Sequence, residues 1–196
     1  EFEKSINLKL NEKNILVTFH PVTLEYKTAK KQFQELLNAI KGLKNTNIIF
    51  TKSNSDIDGR IINHMIDEFV NKNSNKSAGF FSLGQLKYLS ALQYVDAIVG
   101  NSSSGLLEVP SFKIATINIG DRQKGRIKAK SVIDCSPNSK SIKKAFIKIY
   151  SNKFQKLLKD VKNPYGNRCA SQQIIKILKK IKLNNVLKKK FYDLTI

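Results

Sequence analysis

The sequence predicts an α/β fold in which crossover helices cover a parallel sheet. Short β-rich runs alternate along the chain with longer segments whose apolar residues recur at helical spacing. Each β-rich run is short enough for a buried strand. No internal repeat or low-complexity linker divides the 196 residues. We therefore expect a single domain over residues 1–196.

The predicted strands share a core of apolar, mostly β-branched residues that ends at polar or turn-forming residues. They are expected at residues 15–19, 48–50, 79–81, 96–99, 114–118 and 131–134. The predicted helices share an apolar stripe at a spacing of three to four residues, and Gly42 is a stop signal for the first of them. They are expected at residues 25–41, 56–70 and 86–92, from 106 onward, and in two carboxyl-terminal segments broken by the Asn-Pro-Tyr-Gly run at 163–166.

Ligands of open parallel sheets lie at the carboxyl ends of the strands, which makes three loops candidates for a site. These loops are residues 19–23 after the first strand, 100–108 after the fourth and 120–126 after the fifth. We expect side chains from these loops to meet along one edge of the sheet.

The second of these loops is rich in serine. Ser102, Ser103 and Ser104 follow a strand that ends at Gly100, and helical signals resume at Leu106. Two interpretations fit this pattern: a phosphate cradle made of free N–H groups and hydroxyls at a helix amino terminus, or an ordinary serine cap. The Gly-Lys-Ser/Thr element of a P-loop does not follow. No Gly-x-Ser-x-Gly elbow frames a serine nucleophile either.

His20 and Glu108 are the titratable candidates. His20 ends the first strand, where an imidazole suits a proton donor or a phosphate partner, although a bond to loop backbone is an equal alternative. Glu108 is expected one to two turns into the cradle helix. There a carboxylate accepts ribose hydroxyls, or simply stabilises a first helical turn.

The third loop is basic. Arg122, Lys124 and Arg126 lie close together on it, and a guanidinium binds phosphate oxygens through two parallel hydrogen bonds. Alternatively, one of these side chains pairs with Asp121 and orders the loop.

Composition restricts the function classes. The formal charge of +20 comes almost entirely from scattered lysines, and no nucleic-acid recognition motif accompanies it, so nucleic acid is not an expected partner. No apolar stretch is long enough for a membrane helix, and no signal peptide is evident, which favours the cytoplasm. Cys135 and Cys169 lack the paired spacing of a zinc site, and no ligand set suits a metal, so we expect neither a metal nor a cofactor.

In their order and spacing, five segments resemble the UDP-N-acetylglucosamine 2-epimerase family, and within it the hydrolysing branch of sialic-acid-type sugar synthesis. The segments are Val-Thr-Phe-His-Pro-Val-Thr at 17–23, Phe-Thr-Lys-Ser-Asn-Ser-Asp at 50–56, Ser-Leu-Gly-Gln with Tyr-Leu at 82–89, the serine turn at 100–110 and the basic loop at 118–126. The non-hydrolysing relatives carry a Gly-Gly pair where this chain has Ser103 and Ser104.

The resemblance implies a Rossmann-like three-layer fold, the second domain of the two-domain glycosyltransferase-B architecture. The first domain, which supplies the family's acid and base carboxylates, is then a missing partner, and a homo-oligomer is among the open assembly states. The implied ligand is a UDP-sugar. Its contacts would be Ser102 and the amides at Ser103 and Ser104 for the diphosphate, Glu108 for ribose, His20 for the leaving phosphate, Arg122 or Arg126 for the phosphates, and Tyr88 or the backbone near Leu83 for uracil.

The implied reaction breaks the anomeric C–O bond of the UDP-sugar with loss of the C2 proton, and water then adds with inverted stereochemistry at C2. The products are UDP and N-acetylmannosamine. A bacillosamine-like sugar and the non-hydrolysing reaction stay open as alternatives, as does an inactive UDP-sugar-binding fragment.

Overall fold

The computed structural model describes residues 1–22, 25, 28–54, 57–166 and 170–182. In these residues six strands form one sheet, and every neighbouring pair of strands is parallel. The strands are β1 (Lys13–Thr18), β2 (Thr46–Thr51), β3 (Ser77–Phe80), β4 (Ala97–Gly100), β5 (Ala115–Ile119) and β6 (Val132–Cys135). Their order is β3-β2-β1-β4-β5-β6. The predicted parallel sheet is confirmed, with strand ends that differ from the predicted ones by a residue or two.

Helices cover both faces of this sheet because successive strand residues point to opposite sides. In β1, Ile15 and Val17 belong to the larger of two buried apolar clusters, whereas Leu16 belongs to the other. The helices are α1 (Phe2–Ile6), α2 (Ala29–Ile40), α3 (Ile57–Lys72), α4 (Gly84–Ala91), α5 (Ser104–Leu107), a 3-10 helix (Val109–Phe112), α6 (Ser139–Ile149), α7 (Asn152–Lys159) and α8 (Ala170–Lys180). The larger cluster includes side chains of α2, α3, α6 and α7, and the smaller one includes side chains of α1 and α4. The three-layer arrangement is confirmed.

Two helix predictions need correction. The segment before 163–166 forms two helices, because Ser151 begins α7 as a cap whose Oγ accepts a hydrogen bond from Phe154 N at 3.3 Å. The helix after the serine turn is short: α5 ends at Leu107, and Pro110 stands in the first turn of the 3-10 helix that follows. Glu108 therefore lies at the carboxyl end of a four-residue helix, not one to two turns into a longer one.

The strand register aligns the carboxyl ends that carry the predicted loops. Thr18 in β1 pairs with Thr51 in β2 and with Gly100 in β4, and Gly100 pairs with Asn118 in β5. The strand order reverses between β1 and β4, which is the position where open α/β sheets form a ligand crevice. The loops that begin at His20 and at Asn101 face each other there.

The chain divides into two compact units, Glu1–Gly166 and Asn167–Ile196, and the sheet belongs to the first. Within the second unit, α8 carries Ile174, Ile175, Ile177 and Leu178, all of them exposed. In the part of the chain that the structure describes, no helix has both the length and the apolar character needed to cross a bilayer. Thr23, Ser55, Asp56 and Cys169, named from the sequence, lie outside the described residues.

Candidate functional site

A cleft of about 390 Å³ opens at the carboxyl edge of β1, β2 and β4. It brings together residues that are far apart in the sequence, which makes it the candidate site. Its lining includes the predicted residues His20, Tyr88, Ser102, Ser104 and Glu108. Ser103, Arg122 and Arg126 do not line it.

Gly100 sets the path of the serine turn. Its φ is +140°, and a Cβ built there would lie 1.9 Å from the Thr18 carbonyl oxygen. No other residue fits without moving β1 or β4. The close approach also lets the next amide, Asn101 N–H, donate to Thr18 O at 3.1 Å. The turn is therefore fastened to the sheet at its first residue.

The serine turn leaves hydrogen-bond donors unused. Among the described residues, the N–H groups of Ser102 and Ser103 have no acceptor, and Ser104 N–H has only a long bond of 3.4 Å to Ser102 Oγ. Ser103, the residue before α5, makes no side-chain capping bond. The pattern thus differs from an ordinary serine cap, and it leaves two amides to bind an anion. Because α5 is so short, these local donors matter more than a helix dipole.

Hydrogen bonds hold both the backbone and the ring of His20. Its N–H donates to Asn101 Oδ1 and its carbonyl accepts from Asn101 Nδ2, both at 2.8 Å. Its ring Nδ1 lies 3.2 Å from Ser53 Oγ. Asn63 in α3 fixes Ser53 in turn, through bonds to both the N–H and the carbonyl of Ser53. The imidazole consequently has a set orientation at the rim of the cleft.

Tyr88 and Glu108 also line the cleft. The Tyr88 hydroxyl is hydrogen-bonded to Ser104 Oγ. Burial, and to a smaller extent the nearby negative charge of Glu108, raises the pKa of the Tyr88 hydroxyl. Tyr88 is therefore a neutral phenol that can donate a hydrogen bond to Ser104. The Glu108 side chain itself is exposed to solvent.

Two side chains of the third loop contact the site by donating to the backbone of the serine turn. Arg122 Nη1 donates to the Asn101 carbonyl at 3.0 Å, and Gln123 Nε2 donates to the same oxygen at 2.9 Å. The ion pairs found among the described residues do not include Asp121, so Asp121 does not order the loop through an arginine. Arg126 is exposed, and its role stays a prediction.

Four residues without a predicted role line the cleft or hold the residues that do: Asn101, Ser53, Gln123 and Lys52. Lys52 lines the cleft, with a side chain that is 9% exposed, paired with Asp67 at 2.7 Å and lying over the Phe81 ring. The available signal was weak: Asn101, Ser53 and Lys52 are polar residues just after β4 and β2, where a site is expected. Within the described ranges, no group of three or more metal-binding side chains converges.

Known proteins resemble this chain along most of its length. The sequence profile of the family described as UDP-N-acetylglucosamine 2-epimerase matches residues 1–179. The chain is 43% identical over 99% of its length to the GDP/UDP-N,N'-diacetylbacillosamine 2-epimerase (hydrolyzing) of Campylobacter jejuni, covering 50% of that protein. It is 39% identical over 94% of its length to polysialic acid biosynthesis protein P7 of Escherichia coli, covering 47% of it. The chain thus spans about half the length of these curated relatives.

Solved structures show the same fold. The S. aureus MnaA complex with UDP superposes with a TM-score of 0.68 at 15% identity, over 91% of this chain and 47% of that one. The UDP-GlcNAc 2-epimerase of Methanocaldococcus jannaschii, in complex with UDP-GlcNAc and UDP, gives a TM-score of 0.66 at 20% identity, over 91% and 47%.

Proposed function

The chain belongs to the UDP-N-acetylglucosamine 2-epimerase family, and from this we propose that residues 1–196 are the UDP-binding half of a hydrolysing 2-epimerase. The observation that carries the proposal is the convergence of His20, Ser102, Ser104 and Glu108 on one cleft, where two amides of the serine turn find no acceptor in the described ranges. Because the chain spans about half of its relatives, we also propose that the acid and base carboxylates lie in a separate amino-terminal domain.

In this proposal, the diphosphate of the UDP-sugar binds at the serine turn. The Ser102 hydroxyl and the amides at Ser102 and Ser103 donate to phosphate oxygens, and the loop arginines Arg122 and Arg126 add positive charge. Glu108 accepts the ribose hydroxyls from the exposed side of the cleft. The Tyr88 ring, or the backbone near Leu83, contacts uracil.

The chemical role of this half is to stabilise the leaving group. When the anomeric C–O bond breaks, negative charge grows on the departing UDP, and fixed donors lower the energy of that state more than that of the intact substrate. His20 is the proposed catalytic residue of this half. Its ring is held by Ser53 and its backbone by Asn101, so it can donate to the leaving phosphate without reorganising.

The sugar is a 2-acetamido sugar, and the relatives' names point to two candidates. Our proposed substrate is UDP-N-acetylglucosamine, which would yield UDP and N-acetylmannosamine for sialic-acid-type synthesis. The Campylobacter jejuni relative is named for N,N'-diacetylbacillosamine, which favours UDP-N,N'-diacetylbacillosamine as the second candidate. The residues that distinguish these sugars would lie largely in the other domain.

The double variant Ser102→Ala/Glu108→Ala tests the proposed nucleotide site. It removes one phosphate donor and the ribose acceptor, and we expect UDP affinity to fall by about a hundredfold or more, as the loss of two hydrogen-bonding groups predicts. Ser90→Ala/Glu68→Ala, outside the cleft, is the matched control. Unchanged UDP affinity in the first variant would refute the assignment of this cleft.

A second assay tests whether the acid and base carboxylates lie outside this chain. Because the proposed acid and base are absent from this half, the 196-residue chain alone should release no UDP from UDP-N-acetylglucosamine. Appreciable turnover by this chain would contradict the placement of those groups in another domain.

A further inference from the structure

The peptide unit that joins Asn101 to Ser102 is held by hydrogen bonds at its carbonyl end. Its carbonyl accepts hydrogen bonds from Arg122 Nη1 at 3.0 Å and from Gln123 Nε2 at 2.9 Å. Its N–H belongs to Ser102 and has no acceptor among the described residues. The direction of that N–H is therefore set by whatever fixes the carbonyl, since a peptide unit is planar.

Asn101 links this peptide to the other loops. Its side chain, only 1% exposed, bonds to both the N–H and the carbonyl of His20, and its own N–H donates to Thr18 O. Together with the bonds from Arg122 and Gln123, one residue thus connects the loops that follow β1, β4 and β5. A shift in any of these loops would move both His20 and the Ser102 amide.

We propose that Asn101 and Gln123, together with Arg122, are positioning residues for the diphosphate. They aim the Ser102 N–H and the His20 ring at the phosphate oxygens of the ligand, and the inference rests on the proposed function. Donation into the Asn101 carbonyl also polarises the peptide, which makes the Ser102 N–H a stronger donor. Arg122 then acts at least in part through the backbone, and not only as the phosphate ligand that the sequence suggests.

Gln123 gives the clearest sign that this arrangement serves a ligand. The residue is 2% exposed, and its Oε1 has no hydrogen-bond partner within the part of the chain that the structure describes. A buried acceptor without a partner destabilises the folded chain. An apolar side chain of similar size would fill the same space without that loss. What glutamine adds at this position is the Nε2 donor to Asn101 O.

The test compares Gln123→Met with Gln155→Met. Gln155 in α7 makes the same kind of bond, from Nε2 to the Ile149 carbonyl at 2.7 Å, outside the cleft. UDP and uridine are each titrated into the 196-residue chain and both variants, and thermal melting is followed by circular dichroism. For Gln123→Met we expect UDP affinity to fall about fivefold, the effect of roughly one neutral hydrogen bond. We expect unchanged uridine affinity and an equal or higher melting temperature. For Gln155→Met we expect both affinities to be unchanged.

Other outcomes overturn the inference. Unchanged UDP affinity in Gln123→Met, or an equal loss for UDP and uridine, would mean that Gln123 does not act on the phosphate donors. If Gln123→Met does not fold, Gln123→Leu removes the same donor with a smaller apolar side chain, and the same UDP-specific loss is required of it. If the unsubstituted chain binds no UDP, the proposed function itself fails and this inference fails with it. If the unsubstituted chain binds UDP but the variants lack the expected loss of UDP affinity, this inference fails and the proposed function stands.

Discussion

Gly105 lies where α5 packs against β5, and replacing it with alanine tests how tightly the serine turn is held to the sheet. A Cβ at Gly105 would lie 2.6 Å from Thr116 Cγ2, closer than real Cβ atoms approach a neighbour. The backbone there is also fixed, because Thr116 Oγ1 donates to the Gly105 carbonyl at 2.8 Å inside the core. Gly105→Ala must therefore displace α5 or the Thr116 side chain.

Overpacking a buried contact costs about 1–3 kcal/mol, and we expect Gly105→Ala to lose about 2 kcal/mol of unfolding free energy. Thr116→Ser removes the clashing methyl and keeps the hydroxyl, at a cost of about 1 kcal/mol for one buried methyl. In the double variant, the alanine methyl fills the space that the threonine methyl leaves. Its loss should therefore stay near 1 kcal/mol instead of the roughly 3 kcal/mol that independent effects would give.

The assay is urea unfolding of the four proteins in this cycle, with UDP titration of each. Gly105→Ala should also weaken UDP binding, because displacement of α5 moves Ser104 and the turn before it, and Thr116→Ser should restore that binding in the double variant. Additive losses of stability, or a Gly105→Ala variant as stable as the unsubstituted chain, would refute the tight α5–β5 contact.

Three further predictions concern the same unit. Gly100→Ala should lose about 3 kcal/mol of unfolding free energy, because the new methyl meets the Thr18 carbonyl and alanine is strained at this φ. Urea unfolding measures this loss. A loss below about 1 kcal/mol would contradict the close approach of Gly100 to Thr18. Glu108→Ala should abolish the preference for UDP over 2′-deoxy-UDP, whereas Glu68→Ala should retain it, and a preserved preference in Glu108→Ala would exclude the ribose contact. Burial, then the Asp134 charge, raises the pKa of the Cys135 thiol from 9.0 to about 12. The folded chain therefore holds the thiol proton more tightly than the unfolded chain, and the unfolding free energy should fall as pH rises from about 9 toward 12. Cys135→Ala should reduce that fall. An identical pH profile in the variant would refute the raised pKa of Cys135.

The sheet could be predicted from the sequence because its strands are short apolar runs between polar turns. Each crossover helix brings the next strand back parallel, so the pattern also predicts the type of sheet. The helix ends were harder to place. The break between α6 and α7 depends on the Ser151 cap, and the short α5 depends on Pro110, both local signals inside an otherwise continuous apolar pattern.

The site could be predicted only in part, for a physical reason. His20, Ser102 and Ser104, which line the cleft, are candidates from the sequence because strand ends and serine turns have a recognisable local chemistry. Asn101 acts through a contact with His20, 81 residues away, and Gln123 through a contact 22 residues away. Which loops meet depends on strand order and register, and the residue types in a single loop do not encode them. The part played by Arg122 at the Asn101 carbonyl became visible only with that register.

Isothermal titration of this chain at near-physiological salt, with UDP, UDP-N-acetylglucosamine, GDP and a short DNA duplex, shows whether the cleft binds uridine nucleotides. We expect a clear preference for the uridine nucleotides over GDP and no tight binding of DNA. The absence of UDP binding would refute the proposed site. So would DNA binding that weakens steeply with salt and is unaffected by Ser102→Ala, since the positive charge of +20 would then be the functional feature.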